Sequence, residues 1–180
     1  MKRVFFTLVL AMMTIGVASA QENTTEGNSE AQELLNKGVS CFAAKNYEEA
    51  VQWYLQAAEQ GSTEAQFNLG DCYLNGLGVT RDAVEAVKWF RKAAELGHAK
   101  SQNNLGLCYV RGEGVPQDLS ESAKWFRKAA EQGLANAQFN LGVAYYNDDC
   151  FSEAFMWLRK AAQQGHKSAQ SVLDRFGESW

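Results

Sequence analysis

Two nearly identical glycine pairs are the first feature of this chain that could carry chemistry. They lie in the segments GLGV and GEGV, which are 36 residues apart. Glycine-rich loops bind phosphate where a strand precedes the glycines and a helix follows directly, because the helix N-terminus then presents free backbone N–H groups. Neither segment has that context. The pairs instead favour turns of positive φ between two helices, with Asp82 and Asp118 as caps of the helix that follows. The glycines are Gly76, Gly78, Gly112 and Gly114.

Four cysteines could support disulfides, redox chemistry or metal binding. Cys72 and Cys108 hold the same position in two copies of one segment. They should therefore lie one helix-to-helix step of about 8–10 Å apart, beyond the ~7 Å between Cα atoms that a disulfide tolerates. Equivalent positions hold serine and alanine, which indicates a small buried slot and predicts free thiols, although a bridge from Cys41 to Cys72 stays open. Cys150 is predicted to be exposed, and no C-x-x-C pair indicates a redox site.

The two histidines are the remaining candidates for a metal or catalytic site. His98 and His166 each follow a glycine at equivalent positions between repeats, too far apart to share an ion and without clustered carboxylates or thiols. We interpret them as turn residues. No nucleophile elbow marks a Ser–His–Asp or Cys–His arrangement. The sequence therefore predicts no catalytic residue, no metal site and no cofactor, and we expect that the chain is not an enzyme.

The first 20 residues have the layout of a secretory signal peptide. Lys2 and Arg3 precede an apolar run over residues 4–17, and small residues end at Ala20. The alternative is an uncleaved anchor helix, but the run is shorter than the roughly 20 residues that span a bilayer. Residues 21–29 are polar and are predicted to form a flexible leader. We therefore expect an exported protein, periplasmic or secreted, without a stable membrane span after cleavage.

The charge of the chain bears on the class of partner. The formal net charge is −4 at pH 7, and acidic and basic residues are scattered along the chain without blocks. Nucleic-acid-binding domains usually carry a basic patch or stripe. A nucleic-acid partner is therefore not expected, and the oligomeric state is left open.

Internal repetition dominates the rest of the chain. Four tryptophans recur at spacings of 36, 36 and 32 residues, each followed by paired alanines and a glycine. Apolar residues recur twice at helical spacing within each unit, which predicts two helices. One helical hairpin cannot bury both apolar faces, but stacked hairpins can, so the units predict an α-solenoid with a continuous core. The tryptophans, whose period favours core packing over a ligand cage, are Trp53, Trp89, Trp125 and Trp157.

The second and third units resemble the Sel-1-like repeat family of the tetratricopeptide-repeat-like superfamily. The family motif is roughly A-x-x-x-L-G-x-x-Y-x-x-G-x-G-V-x-x-D, then A-x-x-W-[FY]-x-K-A-A-x-x-G. The second unit matches it at Ala65, Leu69, Gly70, Tyr73, Gly76, Gly78, Val79, Asp82, Ala86, Trp89, Phe90, Lys92, Ala93, Ala94 and Gly97. The first and fourth units lack four loop residues and are similar to tetratricopeptide repeats.

The resemblance implies an all-α fold, a right-handed α-solenoid of about four stacked helix-turn-helix repeats. The predicted domain covers residues 30–180, with repeats at about 30–61, 62–97, 98–133 and 134–165 and a C-terminal capping helix within 166–180.

The resemblance also implies a protein-protein interaction module that binds a peptide or protein partner on the concave face of the first helices. The role would be that of an adaptor, an envelope-assembly factor or a secreted effector. The alternative is a cell-wall-associated hydrolase or a peptidoglycan- or β-lactam-binding protein, for which the sequence offers no serine or carboxylate pair. Each implied contact residue could instead fill the interface with the next repeat. The predicted partner-binding residues are Glu64, Phe67, Asp71, Asn75, Asn103, Arg111, Phe139, Tyr146 and Asn147, with Leu74, Leu107, Val110 and Val143 on the same face.

Overall fold

The computed structural model describes residues 29–180, which form nine α-helices and no strand. The predicted signal peptide lies outside the described residues, as does the predicted leader except for residue 29, which is helical. The all-α class is confirmed. The helices are α1 (residues 29–43), α2 (Tyr47–Glu59), α3 (Thr63–Asn75), α4 (Ala83–Glu95), α5 (Ala99–Arg111), α6 (Leu119–Glu131), α7 (Ala135–Asn147), α8 (Phe151–Gln163) and α9 (Lys167–Phe176).

The helices pack as four successive hairpins followed by a single helix. Each helix from α2 to α8 contacts the next one in the chain, and α9 packs against α8. The buried side chains form adjoining clusters from Leu34 in α1 to Leu173 in α9. Leu69, Leu105 and Leu141 hold the same position in successive first helices and are almost fully buried. This confirms the predicted α-solenoid of four repeats with a C-terminal helix.

The glycine after each of these leucines lets the two helices of a repeat approach closely. A Cβ atom on Gly70 would lie 2.6 Å from the Phe90 ring, and one on Gly106 would lie 2.6 Å from the Phe126 ring. The aromatic ring of the second helix therefore rests on the backbone of the first helix. Any side chain at this position would push the hairpin apart.

The duplicated glycine pairs are turns, as predicted. Gly78 and Gly114 have φ of +70° and +71°. A Cβ atom on Gly78 would lie 2.3 Å from the carbonyl of Tyr47, and one on Gly114 would lie 2.1 Å from the oxygen of Ala83. The second glycine of each pair thus allows the loop to lie against the start of the second helix of the preceding repeat.

Side-chain caps begin several helices. Asp82 and Asp118 accept hydrogen bonds from backbone N–H groups in the first turns of α4 and α6, which confirms both predicted caps. His98 and His166, predicted as turn residues, are also N-caps, and the Nδ1 atom of each accepts from a backbone N–H of α5 or α9.

A row of glutamines ties each repeat to the one before it. The Nε2 atom of a glutamine early in the first helix donates to a carbonyl near the end of the preceding second helix, at 3.0–3.2 Å. Two glutamines of this row also accept a hydrogen bond from a further glutamine. Gln132 donates to Gln102 at 2.7 Å, and Gln164 donates to Gln138 at 2.8 Å. The four ties are Gln66 to Ala58, Gln102 to Ala94, Gln138 to Ala130 and Gln170 to Ala162.

The last helix closes the stack. Asp174 in α9 holds the position that glycine holds in the earlier first helices. The Trp180 indole donates to the Asp174 carboxylate at 3.0 Å, and Arg159 contacts the Glu178 carboxylate and donates to the Ser179 carbonyl. None of the helices in residues 29–180 is long and apolar enough to cross a membrane.

Candidate partner-binding face

We define the groove face as the surface formed by side chains of α3, α5 and α7 that flank the leucine–glycine pairs. A cavity of about 760 Å³ opens where this face meets α6, and it is here called the α5–α7 cavity because α5, α6 and α7 line it. Apolar side chains of α5, α6 and α7 line the cavity, together with polar and charged side chains. The lining residues are Leu107, Val110, Leu119, Ser120, Glu121, Ser122, Ala123, Lys124, Phe126, Arg127, Lys128, Glu131, Asn140, Val143, Ala144, Asn147 and Asp148.

The cavity brings together side chains that the sequence placed on one face. Leu107 and Val110 lie one turn apart on α5, and Val143 and Asn147 lie one turn apart on α7. Val143 remains 37% exposed, so the apolar side chain is available to a partner. The predicted contact residue Asn147 adds an exposed amide at the edge of the cavity.

Asp71 is an acidic residue at a position that is aliphatic in the next two repeats. It holds the position in α3 that Leu107 and Val143 hold in the next two repeats. Its carboxylate accepts a hydrogen bond from Asn104 Nδ2 at 3.0 Å. Burial raises the pKa of Asp71 to about 6, although the Asn104 hydrogen bond and the charge of Lys100 pull in the opposite direction. The side chain is half-buried and no cation lies within ion-pair distance of it among the described residues.

Glu64 lies in a small polar cluster where the second and third repeats meet. Its carboxylate contacts Lys100 Nζ at 3.1 Å and His98 Nε2 at 2.9 Å. Burial alone would raise the Glu64 pKa, but hydrogen bonds from Lys100 and His98 outweigh it and hold the pKa below its usual value. The half-buried Phe67 completes the cluster, with its ring centroid 5.3 Å from that of His98 and 5.5 Å from Lys100 Nζ.

Asn103 differs from the exposed groove residue that the sequence predicted. Only 7% of Asn103 is exposed, and its Oδ1 atom accepts from Asn140 Nδ2 at 2.9 Å. The amide is therefore part of the packing between α5 and α7.

The remaining predicted residues are divided between the open surface and the C-terminal end. Asn75 is exposed and donates to the Asp71 carbonyl, and Arg111 is exposed with an ion pair of 3.6 Å to Glu113. Two aromatic residues of α7 instead contact the last helix of the stack. The Phe139 ring stacks on His166 at 4.6 Å between centroids, and Tyr146 packs against Phe151 and Phe176 at 5.2 and 5.6 Å.

The basic residues on the second helices have partners within the chain. Lys124 pairs with Glu121 at 2.9 Å, and Arg127 donates to the Tyr145 hydroxyl. The ammonium groups of three further lysines lie 3.9–4.2 Å from the centroids of the repeated tryptophan rings. These pairs are Lys92 with Trp89, Lys128 with Trp125 and Lys160 with Trp157.

The tryptophans themselves are core residues, as predicted. Trp89, Trp125 and Trp157 are each at most 9% exposed, and Trp53 in the first repeat is partly buried. The contact of His98 with Glu64, which joins positions 34 residues apart, was not predicted from the sequence. One sequence feature could have indicated this contact. His98 stands at the N-cap position of its first helix, where the preceding repeat has the shorter Ser62.

The cysteines are as the sequence predicted. All four are free, Cys72 and Cys108 are buried, Cys41 is partly buried and Cys150 is exposed. Burial raises the thiol pKa of Cys72 and of Cys108 to about 11, which keeps both protonated at neutral pH. Within residues 29–180, no group of three or more His, Cys, Asp or Glu side chains is placed to hold a metal ion.

Comparisons with known proteins agree on the repeat. The Sel1 repeat family model matches four consecutive segments, at residues 31–62, 63–98, 99–134 and 135–166. No curated protein sequence matches the chain at a significant level.

Two solved structures are similar to this chain in both sequence and fold. The c5321 protein, a protective antigen present in uropathogenic Escherichia coli strains and displaying an SLR fold, is 40% identical with a TM-score of 0.75, and the match covers 83% of this chain and 34% of that one. A Sel1 repeat protein from Oxalobacter formigenes is 37% identical with a TM-score of 0.75, covering 79% of this chain and 60% of that one.

The chain thus spans about a third of the first protein and three fifths of the second. YrrB, a tetratricopeptide repeat protein with an unusual peptide-binding site, is similar in fold alone, at 22% identity and a TM-score of 0.54 over 82% of this chain and 76% of that one.

Proposed function

Because the chain belongs to the Sel1 repeat family, we propose that it is an exported module that binds a peptide or protein partner on its groove face. Proteins with this repeat fold typically serve protein-protein interaction and are generally not enzymes. The proposal accordingly assigns the chain a binding role as an adaptor, an envelope-assembly factor or a secreted effector. It assigns no reaction and no cofactor.

The α5–α7 cavity is the observation that carries the proposal. At about 760 Å³ it has the size of a cleft that accepts several side chains. Its apolar residues Leu107, Val110 and Val143 can bury an apolar side chain of a partner, and Asn147 can hydrogen-bond the partner's backbone. Asp71 extends the same face into the second repeat through its contact with Asn104.

Export is proposed from the N-terminal sequence. The cationic start, the apolar run and the small residues ending at Ala20 support cleavage after that residue. Fractionation of the native cells, with mass determination of the purified N-terminus, tests this part. A chain that begins at residue 21 in the periplasm or medium is expected, whereas an intact Met1 in the cytoplasm would contradict export.

Site-specific photo-crosslinking in the native cell tests partner binding. A benzophenone amino acid at Val143 places the reactive group at the α5–α7 cavity, and the same amino acid at Glu95 places it on an exposed position of α4. We expect a discrete crosslinked protein from position 143 and none from position 95. Equal crosslinking from both positions, or none from position 143, would count against the groove face.

A further inference from the structure

The groove face carries two acidic side chains that form no ion pair among residues 29–180. In this part of the chain, Asp71 has only the Asn104 amide as a direct hydrogen-bond donor, and Asp148 lines the α5–α7 cavity. The nearby cations are engaged elsewhere. Lys100 is 3.1 Å from Glu64, and Lys124 is 2.9 Å from Glu121. Because the cavity itself is also lined by Lys124, Arg127 and Lys128, the complementarity to a cation of a partner is confined to the Asp71 end of the groove face.

The repeats provide an internal comparison for Asp71. The same position holds Leu107 in the third repeat and Val143 in the fourth, so the fold accepts an aliphatic side chain there. A half-buried carboxylate without a cation costs stability, because desolvation disfavours its charged form. A residue that costs stability at a position where neighbouring repeats avoid the cost is best explained by contact with a partner.

Asp71 lies close to the apolar residues of α5. Its carboxylate contacts Asn104, and Asn104 and Leu107 lie one turn apart on α5. Neighbouring packed helices are roughly 8–10 Å apart. An extended peptide advances about 3.1–3.4 Å per residue, so two or three residues cover this distance.

Resting on the proposed function, we infer that the groove face binds an extended partner segment in which a basic side chain lies two or three residues from a large aliphatic one. The basic side chain contacts the Asp71 carboxylate. The aliphatic side chain enters the α5–α7 cavity beside Leu107 and Val143. A lysine or arginine of the partner thereby supplies the cation that Asp71 lacks, with a charge-assisted hydrogen bond as well as charge complementarity.

Fluorescence anisotropy with a defined peptide set tests this inference on the full chain. Each fluorescein-labelled 11-residue peptide carries one leucine in a serine and threonine background, with arginine, glutamine or glutamate one to five residues away on either side. We expect arginine peptides to bind about tenfold tighter than glutamine peptides at offsets of two or three residues, and glutamate peptides to bind most weakly.

Three variants assign the preference to its residues. Asp71→Asn should reduce the tenfold preference for arginine over glutamine to about twofold or less. Glu95→Gln removes one negative charge from an exposed site on α4 and should leave the preference intact. Val143→Asp should abolish binding of every peptide, with circular dichroism showing that the helices are retained.

The outcomes separate this inference from the proposed function. Peptides that bind with no preference for arginine, or a preference that survives Asp71→Asn, would overturn the inference and leave groove binding intact. If no peptide in the set binds, the inference is also overturned, and the crosslinking at position 143 decides independently whether the groove face holds a partner.

Discussion

At the scale of single residues, Asp71 gives the clearest prediction about pH. Burial raises its pKa to about 6 in the folded chain, against about 3.9 when unfolded. As the pH rises from 4 to 6, the unfolded chain releases this proton first, so folding stability falls across that window and stays reduced above it. Asp71→Asn keeps the acceptor for Asn104 and removes the fall. The variant should be more stable by about 1 kcal/mol at pH 7, a figure reduced by partial solvent screening, and unchanged near pH 4.

Urea unfolding of both proteins between pH 4 and pH 8 measures this difference. Glu95→Gln is the matched control, because it removes an exposed carboxylate and should shift stability equally little at every pH. A difference between wild type and Asp71→Asn that is the same at pH 4 and pH 7 would show that Asp71 titrates normally.

Two glycines separate the cost of backbone conformation from the cost of a collision. Gly114 and Gly97 both have positive φ, +71° and +90°. A Cβ atom on Gly114 would lie 2.1 Å from the Ala83 oxygen, whereas one on Gly97 would meet nothing within 4 Å. We expect Gly97→Ala to cost about 1 kcal/mol and Gly114→Ala about 3 kcal/mol or more, measured by urea unfolding. Equal losses would mean that the loop moves away from α4 without cost.

At the scale of helices, the glutamine row is incomplete at one place. The Gln66 Oε1 atom is buried and has no hydrogen-bond partner in the described part of the chain, whereas Gln132 and Gln164 donate to the equivalent atoms of the next two glutamines. By the repeat spacing, Leu96 holds the position of those donors, and its side chain is 66% exposed. Leu96→Gln should therefore stabilise the chain by about 0.5–1.5 kcal/mol, because it satisfies a buried acceptor and removes an exposed aliphatic group.

Leu96→Glu is the control for this prediction. Glutamate has a similar shape and is also polar, but its ionised carboxylate cannot donate to Gln66. Thermal unfolding should place Leu96→Gln above both the wild type and Leu96→Glu. If the two variants have the same stability, the gain comes from removing the leucine and not from the hydrogen bond.

The sequence predicted those features of the helices that depend on local chemistry. The turns at Gly78 and Gly114 and the caps at Asp82 and Asp118 were predictable because glycine and aspartate act within a few residues of their own position. The burial of Asn103 was not predictable in this way. It depends on Asn140, which lies 37 residues later on the neighbouring first helix.

At the scale of the whole molecule, repetition itself predicted the architecture but not the state of each groove residue. Equivalent positions differ in their surroundings, because the last repeat contacts α9 in place of another hairpin. Phe139 stacks on His166 and Tyr146 packs against Phe176, contacts that the period alone did not indicate. The groove face predicted from the period is therefore open at α5 and α7 around the cavity and partly covered toward the C-terminal end.

Because the repeats form a linear stack, a destabilising substitution at one end should affect only the nearby helices. Leu173 in α9 and Leu69 in α3 are both fully buried, so replacing either by alanine should cost about 2–4 kcal/mol. Each repeat contacts only its neighbours, and stability in such a stack is roughly a sum of repeat and interface terms. Leu173→Ala should therefore speed amide hydrogen exchange in α8 and α9 and leave α2 to α4 protected.

Hydrogen exchange followed by mass spectrometry distinguishes local from global opening, with Leu69→Ala as the internal comparison. Leu69→Ala should raise exchange mainly in α1 to α4, because its side chain belongs to the core shared by the first two repeats. If Leu173→Ala instead raises exchange equally in every helix, the described chain unfolds as one cooperative unit. Local opening in Leu173→Ala would also expose the sides of Phe139 and Tyr146 that face α9. This variant should therefore alter partner binding near α9 more than partner binding at Asp71.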